Sequence, residues 1–466
     1  MSEYQKRKTS RKFGKIFWAF ISIIIVTAIA AGTVTLDMFS DRLFGSKYQS
    51  SNLASSENLT TSSEPELPPE PITASLSATG DLLMHEPIFK NAYDSETEEY
   101  NFDNIFTYFA SYVTKSDYAV ANLETTLRGT EDGRKYSGYP AFNCPDSIVD
   151  ATKTAGFDML LTANNHSYDT SFKGFQRTLE VIDSQNIDRL GTIKDKSEIK
   201  FAVKNINGIN IGMTCFTYET GNTKENCVSL NGIPLTAEAS ALINTFNYSK
   251  LDEFFINIEN QLRGMKAMGA EATVVFIHWG DEYRLSANNN QKKIAQGLCD
   301  LGVDVIIGGH AHVVEPIELY TSTTDAEHKT VCLYSLGNAV SNQRTARASI
   351  KTGHTEYGML FSVTFEKIGD QDVTLKSIDV LPTWVNLFNS KKTGKSVYQI
   401  IPLDKSVEDW KEAFDLTDTS LEKAEKSYER TMKIVGEGLE KVNLYLSNPD
   451  EYKSLYETES DNTYKN

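Results

Sequence analysis

Three kinds of hydrophobic pattern follow one another along the chain. From Ile16 to Leu36, twenty-one residues pass without a charge; as a helix this run is roughly 30 Å long, enough to cross a hydrocarbon layer. Further on, apolar stretches with strand character occur at 74–79, Tyr118–Leu123, Asp158–Thr162, Ile209–Phe216, Ala272–Ile277, Val303–Ile307, Val331–Tyr334, Met359–Phe365 and Val373–Val380. Helix-like segments near 103–115, 145–155, 170–185, 249–269 and 288–300 lie between them. Strand–helix alternation with a strand-rich end predicts an α/β sandwich with a second, more antiparallel sheet. Past about residue 403, Leu421, Ala424, Tyr428, Met432, Val435, Leu439, Val442 and Leu446 recur every three or four positions. That period predicts an amphipathic helix of about 25 residues, docked on the domain or on a partner and weakened by Gly436 and Gly438.

Charge divides the same chain. The first sixteen residues carry six basic side chains and one acid, a balance of +5, so a chain of net charge −17 keeps −22 for the remainder. Such a body excludes a nucleic-acid binder, which needs clustered Lys and Arg. A content of 40% hydrophobic and 11% aromatic residues excludes wholesale disorder. Lys6, Arg7, Lys8, Arg11, Lys12 and Lys15 precede the apolar run and Asp37 follows it. The positive-inside rule then makes 1–15 a cytoplasmic basic tail and 16–36 a transmembrane anchor, with everything beyond on the outer face of the cell membrane. A cleaved signal peptide ending near Ala28-Ile29-Ala30 is the alternative, but the run exceeds the usual apolar region of about 7–15 residues. Residues 37–72, rich in Ser, Thr, Glu and Pro, read as an extended stalk. They lead to a domain at 73–385 and a C-terminal helical extension at 386–466. Five scattered cysteines form no disulfide framework or zinc knuckle, and Cys299 and Cys332 read as core residues.

Five of the seven histidines stand at or just past the end of an apolar strand-like run: His85, His166, His278, His310 and His312. In α/β sheets ligand sites lie beyond the carboxyl ends of the strands, so chain-distant residues placed there converge. Imidazole, carboxylate and an Asn carbonyl oxygen together suit Mn, Fe or Zn. Asp81, after a Gly that lets backbone approach, and Glu124, closing its strand, are the available carboxylates. A pair of divalent ions sharing a carboxylate activates water and clamps the scissile group. A serine or cysteine nucleophile is disfavoured, because no Gly-x-Ser-x-Gly elbow occurs and no Cys sits at a strand end beside a base.

Thr79-Gly80-Asp81, Asn122-Leu123-Glu124, Ala163-Asn164-Asn165-His166, His278-Trp279-Gly280, Gly308-Gly309-His310-Ala311-His312-Val313 and Ser335-Leu336-Gly337-Asn338 resemble, in order, the signature of the CapA-type poly-γ-glutamate capsule biosynthesis proteins. The resemblance covers about residues 74–385. It implies a four-layer α/β/β/α sandwich similar to calcineurin-like metallophosphoesterases, with two metal ions. Carried over, Asp81 and His312 bind one ion, Asn165, His278 and His310 the other, and Glu124 bridges where the phosphoesterases use Asp. His166 matches the histidine that protonates the leaving group or stabilises the transition state. The phosphoesterase Asp-x-His pair is missing; His85 either substitutes for it or faces the cleft. Asn122 and Asn338 are further candidates at the site. Trp279, with Tyr283, is a candidate substrate platform, and Arg284 and Arg344 are candidate anion contacts.

The resulting expectation is a membrane-anchored cell-surface protein of poly-γ-glutamate capsule synthesis or export. It acts as a metal-dependent hydrolase or transferase on an anionic envelope polymer, beside other capsule-synthesis membrane proteins. A phosphodiesterase or phosphatase on envelope phosphoesters and a non-catalytic polymer-binding or assembly subunit are the alternatives. Long-range repulsion between the acidic body and a polyanion is screened beyond about 8–10 Å, so attraction has to be local.

Overall fold

The computed structural model describes residues 69–221, 227–345, 352–391 and 393–457. The expected basic tail and anchor, and the stalk up to residue 68, lie outside the described residues. Among those described, no helix is long and apolar enough to cross a membrane.

In chain order the first strands are β1 (Pro71–Leu82), β2 (Tyr118–Leu123), β3 (Met159–Leu161), β4 (Asp188–Leu190), β5 (Phe201–Ile206), β6 (Ile209–Tyr218) and β7 (Thr245–Phe246). They are followed by β8 (Ala272–His278), β9 (Val305–Gly309), β10 (Ile317–Thr321), β11 (Lys329–Leu333), β12 (Asn338–Val340), β13 (Tyr357–Ile368), β14 (Thr374–Asn389) and β15 (Ser396–Pro402). The helices used below are α1 (Glu86–Ala92), α2 (Asp103–Phe106), α3 (Ala110–Val113), α4 (Ser147–Thr154), α5 (Ser171–Ser184), α6 (Leu251–Ala267), α7 (Asn289–Asp300) and α8 (Asp418–Ser447).

These strands form two mixed sheets. The first runs β15-β14-β13-β1-β2-β3-β4, with the short β12 beside the end of β1. Its β1–β2–β3–β4 half is parallel, and its β1–β13–β14–β15 half is antiparallel. The second runs β7-β6-β8-β9-β11-β10, with β5 against β6. The expectation of a separate antiparallel second sheet is therefore corrected. The C-terminal strands return to the first sheet and continue it from β1, while the second sheet is parallel through β7, β6, β8, β9 and β11.

Strand alternation explains why both sheets read as unbroken apolar runs. On β2, Val120 packs between the sheets, while Ala119, Ala121 and Leu123 face outward. On β8, Val274 and Phe276 face inward, while Val275 and Ile277 face outward. The outer face of the first sheet packs on Ile88 of α1, Ile105 of α2, Val113 of α3 and Ile148 and Val149 of α4. The outer face of the second packs on Phe254 and Ile258 of α6 and Ile294 and Leu298 of α7, with Cys299 and Cys332 buried as expected.

The C-terminal helix α8 is 30 residues long, started by Thr417, whose side chain accepts a hydrogen bond from the Ser420 N–H. Val435 and Val442 belong to the inter-sheet core, so the helix docks on its own domain. The expected boundary at 385 falls inside β14, which continues to Asn389 and pairs with β15. Residues 386–402 are thus part of the sheet, and the helical extension starts later than expected.

Candidate metal centre

Strand ends bring the site together. Asp81 is the penultimate residue of β1, Glu124 follows β2, Asn165 and His166 follow β3, His278 ends β8, and His310 and His312 follow β9. All are carboxyl ends of parallel strands, three in the first sheet and two in the second. A register shift between Thr79 and Asp81 marks a bulge. It turns Asp81 toward the second sheet, where undisturbed alternation would have aimed it outward. Gly80 is required there, because a Cβ would stand 1.8 Å from the Gly337 carbonyl oxygen. His310 and His312 hold φ of +90° and +56°, a region uncommon for residues other than Gly. That turn aims two imidazoles, two residues apart, into one space.

The ligand atoms form two triads, Glu124–His278–His310 and Asp81–Glu124–His312, each with its atoms within 4.8 Å of one another and all five residues buried. Glu124 is common to both. His278 Nε2 lies 2.8 Å from Asn165 Oδ1, 3.2 Å from His310 Nδ1 and 3.4 Å from Glu124 Oε1. His312 Nδ1 lies 3.1 Å from both Asp81 Oδ2 and Asn338 Oδ1, and 4.0 Å from Glu124 Oε2. Both oxygens of Glu124 are buried without a hydrogen-bond partner. A buried carboxylate in that state is strongly disfavoured unless a cation completes it. The donor set of carboxylate, imidazole and amide oxygen therefore fits divalent metal at two adjacent positions.

Electrostatics agree with the geometry. Burial first, then the charges of Asp81, Glu282 and Asp169, push the Glu124 carboxyl well above its usual range. For Asp81, burial opposes ionisation, but the hydrogen bond and charge of His312, with His278 and Asn122, hold it below its usual value. Burial also works against the His312 cation, and Asp81 outweighs it. His278 falls to about 3, because burial and the neighbouring imidazoles of His312 and His166 outweigh Asp81. His310 is driven down by burial and by His278, His312 and His166. Neutral imidazoles of this kind keep a lone pair for a metal.

Around the triads, Asn122 Nδ2 donates to Asp81 Oδ1 at 2.7 Å, and Asn164 Nδ2 donates to Asn122 Oδ1 at 3.1 Å. Asn122 thus orients a candidate ligand. Asn338 has its Nδ2 fixed by the His312 and Thr355 carbonyls, at 3.2 and 2.9 Å, which turns its Oδ1 to His312. His166 Nδ1 lies 2.7 Å from Asp169 Oδ2, and Asp169 also accepts from the Phe142 N–H and from Asn231 Nδ2. With Nδ1 engaged by a carboxylate, the imidazole keeps Nε2 for a reacting group.

Other candidates are placed elsewhere. His85 enters neither triad: its Nδ1 lies 3.1 Å from the Leu83 carbonyl oxygen and 3.2 Å from the Asn342 N–H. It stands edge-on to Phe142, which in turn stands edge-on to His166. Burial, then His312 and His166, lower it to about 4. Trp279 is corrected from substrate platform to core. It shares the outward parity of Val275 and Ile277, is 0% exposed, and donates its indole N–H to the Tyr334 carbonyl at 2.9 Å. Arg284 is exposed on the loop after β8, with no side-chain contact to the triads among the described residues. Arg344 is held by Glu356 at 2.7 Å and by the Val385 carbonyl.

Sequence reasoning missed Asp169, Asn231, Phe142 and Tyr218, whose ring lies 4.7 Å from that of His310. Asp169 alone carried a signal, three residues after His166 in the same turn. Tyr283 keeps a place on the wall, its ring 6.0 Å from that of His312 and its hydroxyl accepting from Gln343.

A family model for bacterial capsule synthesis proteins, PGA_cap, matches residues 75–343. The PGA biosynthesis protein CapA of Bacillus subtilis (strain 168) is 29% identical over 275 residues, 59% of this chain and 64% of that protein. The capsule biosynthesis protein CapA of Bacillus anthracis is 26% identical over 279 residues, 58% of this chain and 61% of that protein. The match thus spans less than two thirds of these curated relatives. Among solved structures, the calcineurin-like phosphoesterase YfkN from Bacillus subtilis is 14% identical, with a TM-score of 0.37 over 78% of this chain and 99% of that one. The Thermus thermophilus sulfate thiohydrolase SoxB is 13% identical, with a TM-score of 0.36 over 66% of this chain and 56% of that one. With its six strand-end motifs converging in the stretch that the family model covers, this chain belongs to the PGA_cap family of bacterial capsule synthesis proteins.

Proposed function

We propose that this protein acts in poly-γ-glutamate capsule biosynthesis at the cell surface, as a metal-dependent hydrolase or transferase on that anionic polymer. The observation that carries the reading is Glu124, buried, without a hydrogen-bond donor and common to two ligand triads. Asp81, Glu124, His312 and Glu124, Asn165, His278, His310 would hold two divalent ions. Bound there, they supply a hydroxide at neutral pH and polarise the linkage under attack. The chain's own part follows from its contacts. Asn122 fixes Asp81, Asp169 and Asn231 fix His166, and His166 Nε2 delivers a proton to the departing group or receives one from the incoming group. Phe142, packed edge-on at 4.7 Å, keeps water from one side of that imidazole. The uncharged run Ile16–Leu36 anchors the chain with its domain outside, among other membrane proteins of capsule assembly.

Metal analysis of the purified full chain tests the site, with two divalent ions per chain expected and a marked loss in Glu124→Gln. Mass spectrometry of poly-γ-glutamate incubated with the metal-loaded protein tests the chemistry. His166→Ala and Asp169→Ala each lower the rate by about 10²-fold or more, and the double variant falls little further, since the pair acts as a unit. Polymer left unchanged by a fully loaded wild-type protein removes the enzymatic reading.

A further inference from the structure

Beside the metal centre lies a second feature that the reading above does not use. Where β13 and β14 reach the rim and α8 crosses them, a cavity of about 520 Å³ is lined by Arg344, Glu356, Trp384, Lys423, Lys426 and Arg430. Its one lining carboxylate is fully engaged: Glu356 Oε2 accepts from Arg344 Nη2 at 2.7 Å, and Oε1 accepts from the Thr345 N–H and hydroxyl at 3.0 and 2.8 Å. Arg430 is held by neutral groups, donating to the Thr352 carbonyl and to the Tyr357 hydroxyl and standing against His354 Nε2. Lys423 and Lys426 make no ion pair among the described residues. At 3.6 residues per turn, Lys423, Lys426 and Arg430 fall within an arc of about 60° on α8. Glu422, Glu425 and Glu429 lie on the neighbouring arc and make no ion pair with them among the described residues. Three cations thus share one concavity without a protein counter-charge, in a chain of net charge −17. His354 senses the result: burial, then Arg430 and Lys426, lower it to about 4.

The cavity is close to the candidate site. β13 begins at Tyr357, opposite Trp384 of β14, and runs antiparallel to β1, which ends at the metal ligands. Two strand spacings of about 4.8 Å separate β14 from β1, roughly 10 Å across the sheet. Thr355, one residue before Glu356, accepts from Asn338 Nδ2 at 2.9 Å, which joins the cavity wall to the ligand cluster.

We propose that this cavity binds anionic groups of a linear polymer whose reacting linkage lies at the metal centre, a carboxylate subsite displaced by a repeat or more along the chain. The proposal rests on the functional reading above for the identity of the polymer, and on the cavity itself for the charge. It also supplies the local attraction that an acidic body needs, since charges in direct contact across a concavity are screened far less than distant ones.

The test is binding of a fluorescein-labelled γ-linked glutamate decamer, and separately of inorganic polyphosphate, to the full chain and to its Lys423→Gln/Lys426→Gln variant. Both lysines are exposed, and an unchanged melting midpoint verifies the fold of the variant. The expected result is a dissociation constant for the decamer raised at least tenfold in the variant, with a weaker salt dependence. Equal affinity of the two proteins for the decamer overturns the subsite and leaves the functional reading standing. Polyphosphate binding that is lost in the variant, with no decamer binding by either protein, keeps an anion subsite and overturns the poly-γ-glutamate reading. Binding of neither polymer by wild type overturns the proposal.

Discussion

Glu124 and Glu315 are both buried carboxyls with an oxygen that no donor reaches, and they meet that cost differently. Glu124 sits among imidazoles that could share a cation with it. Among the described residues, the Glu315 carboxyl has only Gln291 as a donor, to Oε2 at 2.8 Å. Burial, with the charge of Asp281 adding to it and Gln291 opposing, pushes Glu315 up to about 7. Below pH about 4.5 the acid is protonated whether the chain is folded or unfolded, and its ionisation has no effect on stability. Between about 4.5 and 7 the unfolded chain ionises while the folded one does not, so stability falls as pH rises. Above 7 the full penalty applies, on the order of 3 kcal/mol at most. Glu315→Gln therefore stabilises the protein at pH 8 and has little effect near pH 4. Denaturant titrations at the two pH values measure this directly, and equal gains at both would rule out the ionisation argument.

At the scale of elements, α8 shows why a helix former is not always welcome in a helix. The period-3.6 pattern predicts the helix and marks Gly436 and Gly438 as weaknesses, but they are not equivalent. A Cβ on Gly438 would stand 2.1 Å from the Ile317 carbonyl oxygen of β10, whereas on Gly436 its nearest neighbour would be a Met432 methyl at 3.8 Å. Gly436→Ala should gain about 0.5–1 kcal/mol from helix propensity. Gly438→Ala should lose about 1–3 kcal/mol, because the helix must lift from the strand. Thermal melts of the two single variants decide it, and a stabilising Gly438→Ala would mean that the helix does not dock as described. Sequence pattern located nine strand stretches because most are dense apolar runs buried on both faces; the 373–380 stretch is half exposed, at Thr374, Lys376 and Asp379. It missed β5, a partly exposed edge strand carrying Lys204 and Asn205, and it ended β14 too early. Pro382 reads as a stop, since it has no N–H to donate. It is tolerated because β15 pairs with β14 only from Thr383 onward.

Across the whole molecule, the site is assembled from loops and strand ends up to 231 residues apart in sequence, as for Asp81 and His312. The candidate ligand set was legible because each member closes an apolar run at a sheet rim. Asn231 was not, because it comes from a separate hairpin, 65 residues beyond His166. Trp279 was misread because strand parity, not sequence proximity to His278, decides which way a side chain faces. The first sheet contributes Asp81, Glu124 and Asn165 and the second contributes His278, His310 and His312, so bound ions would tie the two sheets together at one end. Removing them with a chelator should lower the unfolding free energy by about 3–4 kcal/mol per ion from a state saturated at 100–1,000 times the dissociation constant. Amide exchange should rise first in the turns after β1, β8 and β9. A Glu124→Gln chain should melt at one temperature with or without chelator, and a chelator response that survives in it would place the ions elsewhere.

The order of those six residues along the chain sets when the centre can come into being. A chain folded only through β6 has Asp81, Glu124 and Asn165 in hand, and neither triad. Both triads are closed by the turn at His310–His312, the last of the ligand-bearing segments to be made. Any metal capture by these triads would therefore wait for that turn, and only a chain whose two sheets have met would carry the complete centre.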